Sequence, residues 1–185
     1  MNIGIIVFDD FTDLDFYLPW DLLNRVRLLK LKDNWNVEIL CDSSDIKSAS
    51  GLSLRPTKPY SFASKCDAVL FCSGSETRRL VNDKSFLDKF QLDEKKQYIA
   101  AIDSGALILG ALGLLKGKRA TTYPTAAEAL KRFGVNVVEK AFVSEGNIAT
   151  GARCLSGDKL ALWMIEKLTD KDVAQKVFET VKPLE

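Results

Sequence analysis

Apolar residues along this chain fall into short dense runs, separated by polar stretches and by segments with helical spacing. Asn2–Phe8 is close to a continuous Ile/Val run, the pattern of a strand buried on both faces. Trp35–Leu40 alternates as a second strand, and Asp67–Cys72 and Tyr98–Ile102 are further strand-length apolar runs. Leu22, Leu23, Val26 and Leu29 recur at helical spacing. They predict a helix from Trp20 to about Leu31, with Pro19 in its first turn. Ser43–Ser53 is polar and reads as turns, and two short helical patterns fill Glu76–Leu92.

A helix is expected from Ser104 to about Leu112, then a turn into a short strand that ends at Ala120-Thr121-Thr122. Thr125–Phe133 reads as a helix stopped by Gly134. Val135–Val138, Ala141–Val143 and Ile148–Thr150 read as strands, the last two joined as a hairpin through Glu145-Gly146-Asn147. Ser156 is placed to cap a helix reaching Leu168, and Asp170 to cap a last helix, Val173–Val181. Strands alternate with helices throughout. The pattern predicts an α/β fold over residues 1–185 as one domain: a mostly parallel central sheet, helices on both faces and a small β-hairpin. In such sheets ligands sit beyond the carboxyl ends of the strands. Those ends carry Asp9–Asp15, Ser73–Ser75, Asp103–Gly105 and Gly151–Cys154.

Composition narrows the chemistry. The 26 basic and 25 acidic residues give a net charge of +1, which offers no electrostatic reason for nucleic-acid binding. Every apolar stretch is too short or too interrupted to span a bilayer, and the first residues lack the basic start of a signal peptide, so a cytoplasmic protein is expected. The four cysteines, Cys41, Cys66, Cys72 and Cys154, form no CxxC pair and are expected to be unpaired thiols. With no histidine in the chain, no metal site or cofactor is expected, and Ser-His-Asp and Cys-His catalysis are excluded.

The most informative segment is Tyr98–Ile102 followed at once by Asp103-Ser104-Gly105 and a helical pattern. A sharp strand-to-helix turn of this kind is a nucleophile elbow, where following backbone N–H groups can bind an oxyanion. The residue at its apex is Asp103. That aspartate can act as a carboxylate nucleophile, as half of a proton-sharing acid pair, or as a fixed anion that binds a ligand. It can also simply cap the helix by accepting an N–H bond one turn in.

Four collinear segments resemble the DJ-1/PfpI superfamily, which is class I glutamine amidotransferase-like, and most closely its isocyanide-hydratase-like branch. They are Phe8–Asp15 with Pro19 after it, Leu70–Ser75, Ala101–Ala111 running on to Thr122, and Glu145–Gly151 followed by Gly157-Asp158. The resemblance implies a DJ-1-type sandwich, a homodimer and a small-molecule ligand or substrate. It places the family's reactive cysteine at Asp103, the acidic partner at Asp15, and the histidine of many relatives at Tyr123. It places the oxyanion-binding groups at Gly74 and Ser104, with Ser75 beside them where the family has a second glycine. Cysteine-dependent isocyanide hydration or glyoxalase chemistry is therefore not expected. If the two acids touch, two charges about 4 Å apart repel by roughly 4 kcal/mol at an effective dielectric of ~20. A helix N-terminus repays only ~0.3–2 kcal/mol, so a hydrogen-bonded pair sharing one proton is expected.

Further pocket candidates are Cys72, Arg153 and Cys154. Cys72 reads either as a displaced reactive thiol or as a core cysteine. Arg153 reads as an anchor for a ligand carboxylate or as a surface arginine. Asp9, Asp10 and Asp13 lack the spacing of a calcium loop and read as a solvated turn. Phe16, Tyr17 and Trp20 read as core.

Overall fold

A computed structural model describes residues 1–184. Ten strands and seven helices follow one another among them. The first half holds β1 (Asn2–Ile6), α1 (Asp13–Leu28), β2 (Asn36–Leu40), β3 (Ile46–Lys47), β4 (Ser53–Leu54), β5 (Ala68–Phe71), α2 (Thr77–Leu80) and α3 (Lys84–Leu87). The second holds β6 (Tyr98–Ile102), α4 (Ala106–Ala111), β7 (Arg119–Ala120), α5 (Ala127–Lys131), β8 (Asn136–Val137), β9 (Phe142–Glu145), β10 (Ile148–Gly151), α6 (Gly157–Leu168) and α7 (Lys171–Glu179).

The main sheet has the order β2-β1-β5-β6-β10-β9, parallel except for the antiparallel edge strand β9. Four consecutive residues of β6, Ile99 to Ile102, are fully buried. Successive side chains of a strand point to opposite faces, so helices must cover this sheet on both sides. Helices α1, α6 and α7 pack together as one group, and α2, α4 and α5 as another.

Chain order reverses between β1 and β5: β2 lies to one side of β1 and all later strands to the other. The crevice beyond the carboxyl ends of such strands is the natural ligand position. Turn chemistry fixes several ends. Gly134 stops α5 at φ +73, and Asp170 caps α7 by accepting the Val173 N–H at 2.9 Å.

Three expectations need correction. First, α1 begins at Asp13 rather than Trp20, and Pro19 lies inside it. The turn-rich reading of Asp9–Asp13 hid the start, because Asp13 opens the helix instead of preceding it. Pro19 has no N–H, so the Asp15 carbonyl one turn before it loses its helical partner; the Cys72 thiol faces that oxygen at 3.6 Å. Second, Ser43–Ser53 contains β3 and pairs with β4 in a hairpin. Asp9 accepts the Lys47 N–H and Asp13 the Ser50 N–H, so the acidic loop clamps this hairpin. Third, Ser156 makes no side-chain cap for α6. It ends a 3-10 turn with φ −74 and ψ −3, already helical, whereas a capping side chain needs an extended backbone.

Candidate functional site

The site is built where β5, β6 and β10 end and α1 begins. Ile102 leaves β6 extended, and Asp103 then takes φ +54. A non-glycine residue in the left-handed region is uncommon and costs on the order of 1 kcal/mol. The turn is closed by Gly105: a Cβ there would sit 2.6 Å from the Cys72 carbonyl oxygen and 2.7 Å from that of Phe71. Only glycine lets the elbow press this closely on the end of β5. Gly74 answers on the other side, where a Cβ would collide with the Asp10 carbonyl.

Asp103 does not cap α4 in the usual way. Its Oδ1 accepts the N–H of Ser104, the very next residue, at 2.5 Å. That N–H is the one the sequence assigned to oxyanion binding, and the elbow's own carboxylate occupies it. The Ser104 hydroxyl is held by Thr77 Oγ1 at 3.0 Å, and the Asp103 carbonyl accepts from Thr122 Oγ1 at 2.8 Å. Burial pushes the Asp103 carboxyl up to about 6; the Ser104 N–H works against this, the Asp15 charge adds to it, and Arg78 opposes it.

Asp15, in the first turn of α1, is fully buried. Its Oδ2 accepts a short hydrogen bond from Ser73 Oγ, which lies 2.9 Å from Thr12 Oγ1 and accepts from that hydroxyl. Its Oδ1 has no hydrogen-bond partner among the described residues. The Cys154 thiol leans toward this carboxylate and steadies its charge without reaching good hydrogen-bond geometry. Burial still raises the Asp15 carboxyl above the ordinary range, against those two donors.

Asp15, Asp103 and Cys154 offer ligand atoms that all lie within 4.8 Å of one another. Asp15 acts on Asp103 as a nearby charge, while its other oxygen is bonded by Ser73. Asp15 finds its donor in Ser73, just past β5, and Asp103 finds one in its own turn. Burial and the two acids push the Cys154 thiol up to about 12. That makes it a poor nucleophile at neutral pH.

The other sequence candidates divide. Gly74 and Ser104 stand at the site. Ser75 does not: it is exposed and its hydroxyl turns to Asp10 Oδ2 at 3.3 Å. Cys72 lies behind the Asp15 backbone, wholly buried, with its thiol pushed well above the ordinary range by desolvation. It is a core cysteine with no path to solvent. Arg153 and Tyr123 form the rim, with the guanidinium 5.7 Å from the ring centroid. Tyr123 is 39% exposed, outside the acid cluster. A cleft of about 510 Å³ opens beside the elbow, lined by Thr122, Pro124, Val138, Lys140, Ala152 and Arg153 among others. Sequence reasoning missed Ser73 and Thr77. Ser73 is the last residue before the Gly74 turn, and that place at a strand end was its only signal.

The architecture and this segment order have counterparts among known proteins. Residues 1–167 match the DJ-1/PfpI family. An isonitrile hydratase of Pseudomonas putida is 30% identical over 178 residues, covering 96% of this chain and 76% of that protein. A deglycase of Pyrococcus abyssi is 25% identical, covering 90% of this chain and 96% of its own. The crystal structure of a ThiJ/PfpI family protein from Pseudomonas syringae superposes with a TM-score of 0.85 at 26% identity, covering 100% of this chain and 76% of that one.

Proposed function

The chain belongs to the DJ-1/PfpI family, and within it we propose a protein that binds or transforms a small polar molecule at the Asp15/Asp103 pocket without forming a covalent bond at the elbow. One observation carries this reading. The elbow conformation is retained, with φ +54 at its apex, yet its side chain is a carboxylate resting on the Ser104 N–H. A carboxylate in that place leaves no thiol to attack and screens the N–H that would hold an oxyanion. What it offers instead is an acceptor, or when protonated a donor, one residue contact away from a cleft of about 510 Å³ through Thr122, which lines that cleft and bonds the Asp103 carbonyl. The similarity to an isonitrile hydratase and a deglycase supports small polar carbonyl-like or isonitrile-like molecules as ligands.

The test is a binding and turnover screen with isocyanides, amides, esters and α-dicarbonyls, run on chelator-treated protein beside Asp103→Ala and Asp103→Cys. Binding or turnover that is lost in Asp103→Ala supports the reading. Turnover that appears only in Asp103→Cys, with binding in the native chain, identifies a ligand-sensing module on an enzyme scaffold. A profile unchanged by both substitutions overturns any role for Asp103.

A further inference from the structure

We propose that Asp15, Asp103 and Cys154 form a binding site for a zinc-like divalent cation. Three rigid parts of the fold deliver the ligands: the first turn of α1, the elbow after β6 and the 3-10 turn Cys154–Ser156 after β10. Their ligand atoms lie within 4.8 Å of one another. Metal bonds of about 2.0–2.3 Å put tetrahedral ligands roughly 3.3–3.8 Å apart, so even atoms at the 4.8 Å limit would close in by only about 1–1.5 Å.

A second observation points into the same space. Asp15 is fully buried, and its Oδ1 lacks any hydrogen-bond partner among the described residues. A buried polar atom left unsatisfied costs about 1–3 kcal/mol, and more when charged. The other oxygen of the same carboxylate is already bonded by Ser73. Oδ1 is thus the free ligand atom, and a cation beside it would satisfy it.

The donor set chooses the ion. Calcium and magnesium take oxygen ligands, whereas a thiolate beside two carboxylates suits a borderline-soft ion such as zinc or cobalt. Three protein ligands leave a fourth position for water or another small ligand. Oriented partners stand behind two of the ligands, with Ser73 on Asp15 and the Ser104 N–H on Asp103; such partners fix ligand geometry in metal sites. No spacing motif marks the set, because positions 15, 103 and 154 meet only through the sheet topology.

The experiment is a cobalt titration of reduced, chelator-treated protein, followed by zinc displacement and calorimetry. One equivalent of cobalt should bind and give a thiolate-to-metal charge-transfer band. Cys154→Ser should abolish the band, and Asp103→Asn should weaken binding by about 10–100-fold. Absence of cobalt and zinc binding overturns the proposal. So does a band that survives in Cys154→Ser or binding undiminished in Asp103→Asn. The ligand screen uses metal-free protein, so either result here leaves that reading to stand or fall by itself.

Discussion

The two carboxylates of the site lie near one another but are held in different ways. Asp15 is sealed in, its backbone part of a long helix and its side chain held by a hydroxyl from the end of β5. Asp103 stands at a left-handed position, half-buried, and accepts the N–H of the residue that follows it. The first is a fixed anchor whose cost is met by packing. The second is the group that can meet a ligand. Burial raises both carboxyls, and Asp103 is the one with some exposure.

This contrast predicts a graded series. The largest effect falls on Gly105→Ala, where the added methyl meets two carbonyl oxygens of the β5 end. It should lose about 3 kcal/mol in urea denaturation, and near-native stability would mean the elbow is not pressed on β5. Ser73→Ala removes the hydroxyl donor to Asp15 and should cost about 2 kcal/mol. The loss should grow with pH, because that bond favours the ionised form; a pH-independent loss would assign Ser73 to packing alone.

Asp103→Asn tests the other acid in metal-free protein. Its folded carboxyl titrates at about 6, above the ordinary 3.8, so ionisation opposes folding. Native stability should therefore fall as pH rises from about 4 through 6 and then level off. Asp103→Asn keeps an oxygen for the Ser104 N–H and should lack that fall. It should be more stable by about 1–2 kcal/mol at pH 7.5, a figure reduced for partial solvation, and equal to the native chain near pH 4. Parallel pH curves for the two would refute the assignment. The smallest effect belongs to Ser75→Ala, within about 0.5 kcal/mol by the same measurement, since Ser75 is exposed and faces Asp10. A larger loss there would move Ser75 back into the site.

The elements most legible in the sequence were those with dense apolar runs. Tyr98–Ile102 is read to its exact ends because the run stops at a charged residue that the core cannot take. Asp170 is read as a cap because its extended backbone lets the side chain reach Val173. Ser156 has the same residue-type signal but a helical backbone, which composition does not reveal. The site was half legible. Asp103 follows from the strand end, and Asp15, Gly74 and Ser104 from the resemblance, whereas the choice of Ser73 over Ser75 depends on which face of one turn each hydroxyl takes. Cys154 was legible as a pocket candidate at a strand end, but its closeness to the two acids depends on β10 pairing with β6, a long-range contact without a local pattern.

The central claim is that the elbow keeps its shape but works without a covalent bond. Intact-mass and peptide analysis after incubation with an isocyanide and an α-oxoaldehyde tests it most directly, on the native chain and on Asp103→Cys. The account predicts no adduct on the native elbow peptide and a stable or trappable adduct on the cysteine variant. An ester adduct on Asp103 of the native chain would contradict it.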